Sequence, residues 1–213
     1  MSVHEGEYCG FETAIEDPGI LVVTFNRPES LNASTAAMKR DLVELLTQTQ
    51  MDDKIRIVVF TGQGQAFWAG DDLKGYSGDS VHVPPIHHGH HNPSGTYNGL
   101  RTISQAVNTA VRNLDKISIA AINGFAIQTG FSLALACDFR IASRSAKLGS
   151  ATLRFGLLPD EGGQWLLVQH LGVAKAMDFM MRKRIVDGET AFELGLVHEV
   201  VSDNNPMEET FTL

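Results

Sequence analysis

The chain has 213 residues, 43% apolar and 20% charged, with a net charge of −8. That length suffices for one substantial core, and the acidic balance argues against a nucleic-acid partner while still allowing a phosphorylated ligand held by a few local cations. The two cysteines, Cys9 and Cys137, make no disulfide framework, and no stretch reads as a signal peptide or membrane span, so a cytoplasmic protein without a membrane partner is expected.

In chain order, residues 8–28 read as a β-hairpin, with Asp17-Pro18-Gly19 as the turn and Pro28 ending the second strand. Residues 34–50 put Met38, Leu42, Leu45 and Leu46 on one helical face, with Ser34 placed to cap the start. The run IRIVVFTG, residues 55–62, is a short and nearly continuous apolar strand, as expected where both faces are covered. A Gly-rich loop follows. Residues 75–96 are rich in Gly, Pro, Ser and His and are expected to form a mobile loop. From Tyr97, helical spacing links Leu100, Ile103, Val107, Ala110, Val111 and Leu114. A strand from Ser118 to Ile122 leads through a turn into an apolar helix ending at Cys137. DFRIAS and AKLGSA read as short strands, and EGGQWLLVQHLG, AKAMDFMMRKR and GETAFELG as helices. Alternating strands and helices argue for an α/β fold with right-handed crossovers. No internal sequence repeat is visible, and residues 202–213 read as a short tail after a domain spanning residues 1–201.

Two stretches carry chemistry without an obvious reactive side chain. In INGFAIQTGFSLALACDF a strand runs into Asn123-Gly124, then Thr129-Gly130, then an apolar helix. A turn opening a helix leaves main-chain N–H groups without intrahelical partners at the positive end of the helix dipole, and glycine lets a ligand come close. Such a turn suits an oxygen that gains negative charge during a reaction, although the same pattern also serves simple strand-to-helix packing. AFWAGDDL makes a second turn of this kind after another apolar strand, so two N–H groups from separate loops can be aimed at one oxygen.

At this point the sequence resembles the crotonase, or enoyl-CoA hydratase/isomerase, superfamily. FNRPESLNA resembles its N-R-P-x-x-x-N-A loop, FWAGDDLK its S-A-G-A-D-L-K turn, and INGFAIQTGFSLALACDFRIAS its glycine-rich segment ending in C-D-x-x-x-A. FGLLPDEGGQWLL and ETAFELGLVHEVV resemble two further family segments, and the match runs in order over about residues 8–201. The resemblance implies a ββα superhelix, a spiral of that repeating unit, and an acyl-CoA thioester as substrate, with no cofactor beyond the CoA moiety itself. It implies that the main-chain N–H groups of Asp71 and Thr129 hold the thioester oxygen and stabilise an enolate. Leu31, Ala33, Asp72, Leu73 and Lys74 fall on positions that contact CoA in the family, although Lys74 also reads as an ordinary surface charge. A homotrimer, or a hexamer built from trimers, is implied as well. Family members usually continue with several more helices, so the C-terminal helical region is expected to be shortened here.

The family's hydratases use two glutamates to activate water. Here the matching positions hold Ser132 and Thr152, and a hydroxyl is no general base near neutral pH without a helper. Isomerase-type proton transfer is therefore expected in preference to hydration. Asp160 has two readings: the carboxyl that moves the proton, or an N-cap for the helix that follows. Glu161 reads as a first-turn helix carboxylate. His82, His87, His88, His90 and His91 crowd the low-complexity segment, where a substrate lid is expected rather than a metal site, and a histidine there is the alternative to Asp160 as the group that moves the proton. Trp68 and Trp165 read as packing residues, with the lining of an acyl pocket as a second reading of Trp165, and Cys137 reads as core. Two other functions stay open on the sequence: a non-catalytic acyl-CoA-binding protein, and a hydratase or hydrolase with an atypical water activator.

Overall fold

The computed structural model describes residues 5–72, 92–150, 152–203 and 207. Two sheets organise the chain. The larger has seven strands in the order β1 (Gly6–Tyr8), β2 (Phe11–Glu16), β3 (Ile20–Phe25), β4 (Ile57–Gly62), β6 (Ile117–Ile122), β8 (Phe139–Ser143) and β11 (Glu199–Val201). β1 to β3 are antiparallel, as the hairpin reading requires, and β3 through β11 are parallel. The smaller sheet has the order β10 (Ile185–Asp187), β9 (Lys147–Gly149), β7 (Phe125–Ile127) and β5 (Ala66–Trp68).

The continuous apolar runs of β3, β4 and β6 follow from burial on both faces. Leu21, Val23, Phe25, Val58, Phe60, Ala120 and Ile122 point into the main core, while Val59, Ile119 and Ala121 join Ile141 and Val201 in a second cluster. Helix α1 (Ala36–Gln50) buries Met38, Leu42, Leu45, Leu46 and Thr49 along one stripe. Its N-cap is Thr35, whose side chain accepts from the Met38 N–H, and not the expected Ser34, which is turned to other use in the site.

Three parallel strands of the large sheet, β4, β6 and β8, are each followed by a three-residue strand of the small sheet and then by a helix. β4 and β5 precede the helical run of α2 (Pro93–Gly99), a π-helical turn (Leu100–Ser104) and α3 (Gln105–Arg112). β6 and β7 precede α4 (Thr129–Ala136), and β8 and β9 precede α5 (Gly163–Met181). This is the ββα spiral, repeated in structure although no repeat shows in sequence. α5 breaks at Gly172 (φ 71°, ψ 164°), which accounts for the two helices read there. α6 (Gly188–Glu193) links β10 to β11. The expected loop 75–96 is helical in its last part, where Asn92 caps α2 by accepting from the Gly95 N–H, while the rest of it, with the five histidines, lies outside the described residues.

Candidate active site

β5 and β7 are neighbouring parallel strands, with Trp68 opposite Ala126, and β9 lies beside β7, with Gly149 opposite Ile127. Their C-terminal ends therefore open along one edge, the place where parallel sheets present ligand sites. Three segments of the sequence reading converge there: Asp71 after β5, Gln128-Thr129 after β7, and Ser150 and Thr152 after β9. Gly70 turns the chain at φ 103°, a conformation in which a side chain would be strained. Thr129 is the first residue of α4, and its hydroxyl donates to Asp71 Oδ1 at 3.0 Å. The two turns singled out from sequence thus touch.

The Asp71 carboxylate is occupied within the fold. Lys39 on α1, only 4% exposed, brings Nζ to 2.7 Å from Asp71 Oδ1, and the Ser34 hydroxyl donates to the same oxygen at 3.0 Å. Burial alone would raise this carboxyl, but the Lys39 charge and hydrogen bonds from Lys39, Ser34 and Thr129 outweigh it and hold Asp71 below the usual carboxylate range. Its negative charge is matched by the Lys39 ammonium, so it does not stand as an uncompensated repulsion toward an oxyanion nearby.

The segment carrying Leu31 and Ala33 is zipped against the β5 turn. The Ala69 N–H donates to the Leu31 carbonyl at 3.1 Å, Ser34 to Gly70 at 2.9 Å, and Asp72 to Ser34 at 2.9 Å. Arg27 adds an ion pair to Asp72, with Nη2 2.9 Å from Oδ2, and its Nη1 donates to the Ala33 carbonyl. Leu31 is exposed and Asp72 lies in this cluster, whereas Leu73 and Lys74 lie outside the described residues.

Gln128 occupies an unusual backbone conformation, φ 54° and ψ −112°, which costs a non-glycine residue about 1–3 kcal/mol. Its side-chain amide is held at both ends. Ser150 Oγ donates to Gln128 Oε1 at 2.7 Å, and Gln128 Nε2 donates to Glu161 Oε2 at 2.9 Å. Ser132, one turn into α4, donates to Glu161 Oε1 at 2.6 Å.

The turn before α5 separates two neighbouring carboxyls, with Asp160 exposed and Glu161 buried. The helix cap of α5 is Gly162, at φ 108° and without a side-chain cap bond, so Asp160 does not cap it. The Asp160 side chain is exposed, while its carbonyl accepts from Gln105 Nε2 at 2.9 Å. Glu161 is 3% exposed, and its carbonyl accepts from Asn108 Nδ2 at 2.9 Å. Burial pushes the Glu161 carboxyl up to about 7 against the opposing Ser132 hydrogen bond, with the charges of Asp160 and Asp71 acting in the same upward direction.

Trp68 is fully buried and donates to the Gly70 carbonyl at 3.0 Å, but Trp165 is 55% exposed and does not pack as expected. Cys137 is core, its thiol pushed up to about 12 by burial, which removes it as a nucleophile. Among the described residues no group of three or more His, Cys, Asp or Glu side chains could hold a metal ion. This edge therefore brings together the Asp71 and Thr129 turns, the hydroxyls of Ser34, Thr129, Ser132 and Ser150, and the buried Glu161 carboxyl, raised to about 7.

The enoyl-CoA hydratase/isomerase family model matches residues 16–213. The 1,2-epoxyphenylacetyl-CoA isomerase of Escherichia coli is 37% identical over 191 residues, 88% of this chain and 68% of that protein. A probable peroxisomal enoyl-CoA hydratase of Arabidopsis thaliana is 35% identical over 193 residues, 91% of this chain and 67% of its own length. The chain thus spans about two thirds of the length of these relatives. Among solved structures, an enoyl-CoA hydratase from Bacillus anthracis superposes with a TM-score of 0.85 at 30% identity, over 96% of this chain and 74% of that one. A monofunctional enoyl-CoA isomerase from Mycobacterium smegmatis superposes with a TM-score of 0.74 at 31% identity, over 95% of this chain and 82% of that one.

Proposed function

The chain belongs to the enoyl-CoA hydratase/isomerase family, and from that premise we propose that it moves a double bond within an acyl-CoA thioester. The main-chain N–H groups of Asp71 and Thr129 polarise the thioester carbonyl. A carboxyl of the 160–161 turn takes a proton from the carbon next to that carbonyl. The electron pair of the broken C–H bond moves into the carbonyl, and the resulting dienolate oxygen rests on the two N–H donors, a kind of interaction worth about 2.7–4 kcal/mol per donor. Return of the proton at the far end of the dienolate completes the shift, with no water consumed.

The observation that carries this reading is the Thr129–Asp71 contact at 3.0 Å, which ties two separate turns into one edge. The preference for isomerisation over hydration rests on Ser132 and Thr152, hydroxyls where a water-activating pair would need carboxylates. Leu31, Ala33, Asp72, Leu73 and Lys74 belong to the proposal as CoA contacts. No cofactor beyond the CoA moiety enters it, and the two free cysteines fit a reducing cytoplasm. Assembly into trimers or hexamers is part of the same proposal, since Leu157, Leu158, Trp165, Met177 and Met181 leave apolar surface that a second copy would cover.

Incubation with α,β- and β,γ-unsaturated acyl-CoA esters in deuterated water, followed by mass spectrometry, tests the reaction. Deuterium at the α or γ carbon without the mass of added water is the expected result. Addition of water would overturn the isomerase preference, and ester that binds unchanged would make the protein a passive acyl-CoA binder.

A further inference from the structure

Glu161 is buried without an ion-pair partner among the described residues. A carboxyl in that position is costly to keep charged, and two hydrogen bonds alone are a poor reason to have one, since an amide of the same shape would cost less. Its surroundings are nevertheless built to hold it. Ser132 and Gln128 each donate to one of its oxygens, at 2.6 and 2.9 Å. Gln105 and Asn108 on α3 fix the backbone on either side of its side chain through the carbonyls of Asp160 and Glu161. A Cβ at position 163 would collide with Ser132 Oγ and crowd Glu161 Oε1, so the chain leaves Gly163 there. Gln128, which holds the carboxyl, is the residue that precedes Thr129, so the acid and the second amide donor share one short stretch of backbone.

We infer that Glu161, and not its exposed neighbour Asp160, is the proton-transferring group of this site, with Ser132 and Gln128 as the residues that position its carboxyl. The inference rests on the function proposed above and names the residue that executes it. The carboxylate accepts the proton from the α carbon while the electron pair passes to the thioester oxygen. The carboxylic acid so formed returns the proton to the γ carbon, and the carboxylate is regenerated without an outside reactant. A carboxyl that is half protonated near neutral pH serves both halves of this cycle. Its titration is set first by burial, then by the Ser132 hydrogen bond and the charges of Asp160 on its own turn and Asp71 at the end of β5, which Lys39 of α1 pairs; the remaining neighbours that face it or its turn, Gln128, Gln105 and Asn108, are neutral.

The experiment uses the full chain with a β,γ-unsaturated acyl-CoA ester in deuterated water. Glu161→Gln should lower exchange and isomerisation by about 100-fold or more, with ester affinity unchanged within about threefold, while Asp160→Asn keeps most of the rate. Ser132→Ala, a small change that leaves the fold intact, removes a hydrogen bond to the charged form and should shift the pH limb of kcat upward. Turnover that survives Glu161→Gln and is lost in Asp160→Asn would assign the proton to Asp160 and overturn this inference alone. An unmoved pH limb in Ser132→Ala would also overturn it. A wild-type protein that exchanges no proton at all would overturn the parent reading together with it.

Discussion

A buried acid with a raised proton affinity has a consequence for stability as well as for chemistry. The folded state holds the Glu161 proton with a carboxyl at about 7, against 4.5 for an ordinary glutamate. Below the lower value both states are protonated and the group is neutral to the balance. As pH rises between the two values, the unfolded chain has released its proton and the folded chain has not, so stability falls through this window and stays reduced above it. The loss is on the order of 3 kcal/mol. Glu161→Gln, whose amide meets Gln128 with its oxygen and Ser132 with its NH2, escapes this loss. Chemical denaturation should find the variant more stable than wild type at about pH 8, with the gap closing toward about pH 5. A gap that does not change with pH would mean that the carboxyl titrates normally. The same residue shows where sequence reading stops. Asp160 and Glu161 are adjacent and chemically alike, and which one turns inward depends on the φ of 108° at Gly162 and on the grip of Gln105 and Asn108, which come from 53 to 55 residues away. Nothing in the local spacing encodes that.

At the scale of elements, the site depends on how closely α4 approaches β5. A Cβ on Gly130 would overlap the Trp68 carbonyl oxygen, a backbone atom, and also press on Trp68 Cβ. Trp68 cannot yield, since its ring lies against Phe25 at 4.8 Å and its indole N–H is bonded to Gly70. In an open helix Gly→Ala would gain about 1 kcal/mol. Here the collision wins, so Gly130→Ala should destabilise the protein by about 1–3 kcal/mol and lower activity by moving Thr129 away from Asp71. Urea denaturation and turnover measured on the same preparation check both effects, and unchanged values would show that the approach is looser than described. The long elements were legible because their patterns are strong: the apolar runs of β3, β4 and β6, the stripe of α1, and the helical spacing of α3. The strands β5 and β7 were read as loop and turn, because three residues cannot show alternation. The cap of α1 was misplaced by one residue because Ser34 and Thr35 are equally good caps, and only the position of Asp71 draws Ser34 away.

For the whole molecule, the arrangement of two sheets explains why a function can be read from turns that lie 58 residues apart in sequence. Each ββα unit delivers its second strand to the small sheet, and the parallel register of β5, β7 and β9 brings three loop starts to one edge. The fold and its ββα character were legible through the resemblance of ordered motifs, while the order of the sheets was not, since strand adjacency is set by long-range packing. The central claim is that the amides of Asp71 and Thr129 share one carbonyl oxygen of a bound thioester. It is tested most directly by amide NMR of the labelled protein, titrated with an acyl-CoA thioester and with the matching thioether, which lacks the carbonyl. The account predicts that both N–H resonances move downfield with the thioester and that neither does so with the thioether. A response from only one of them, or the same response to both ligands, would contradict it.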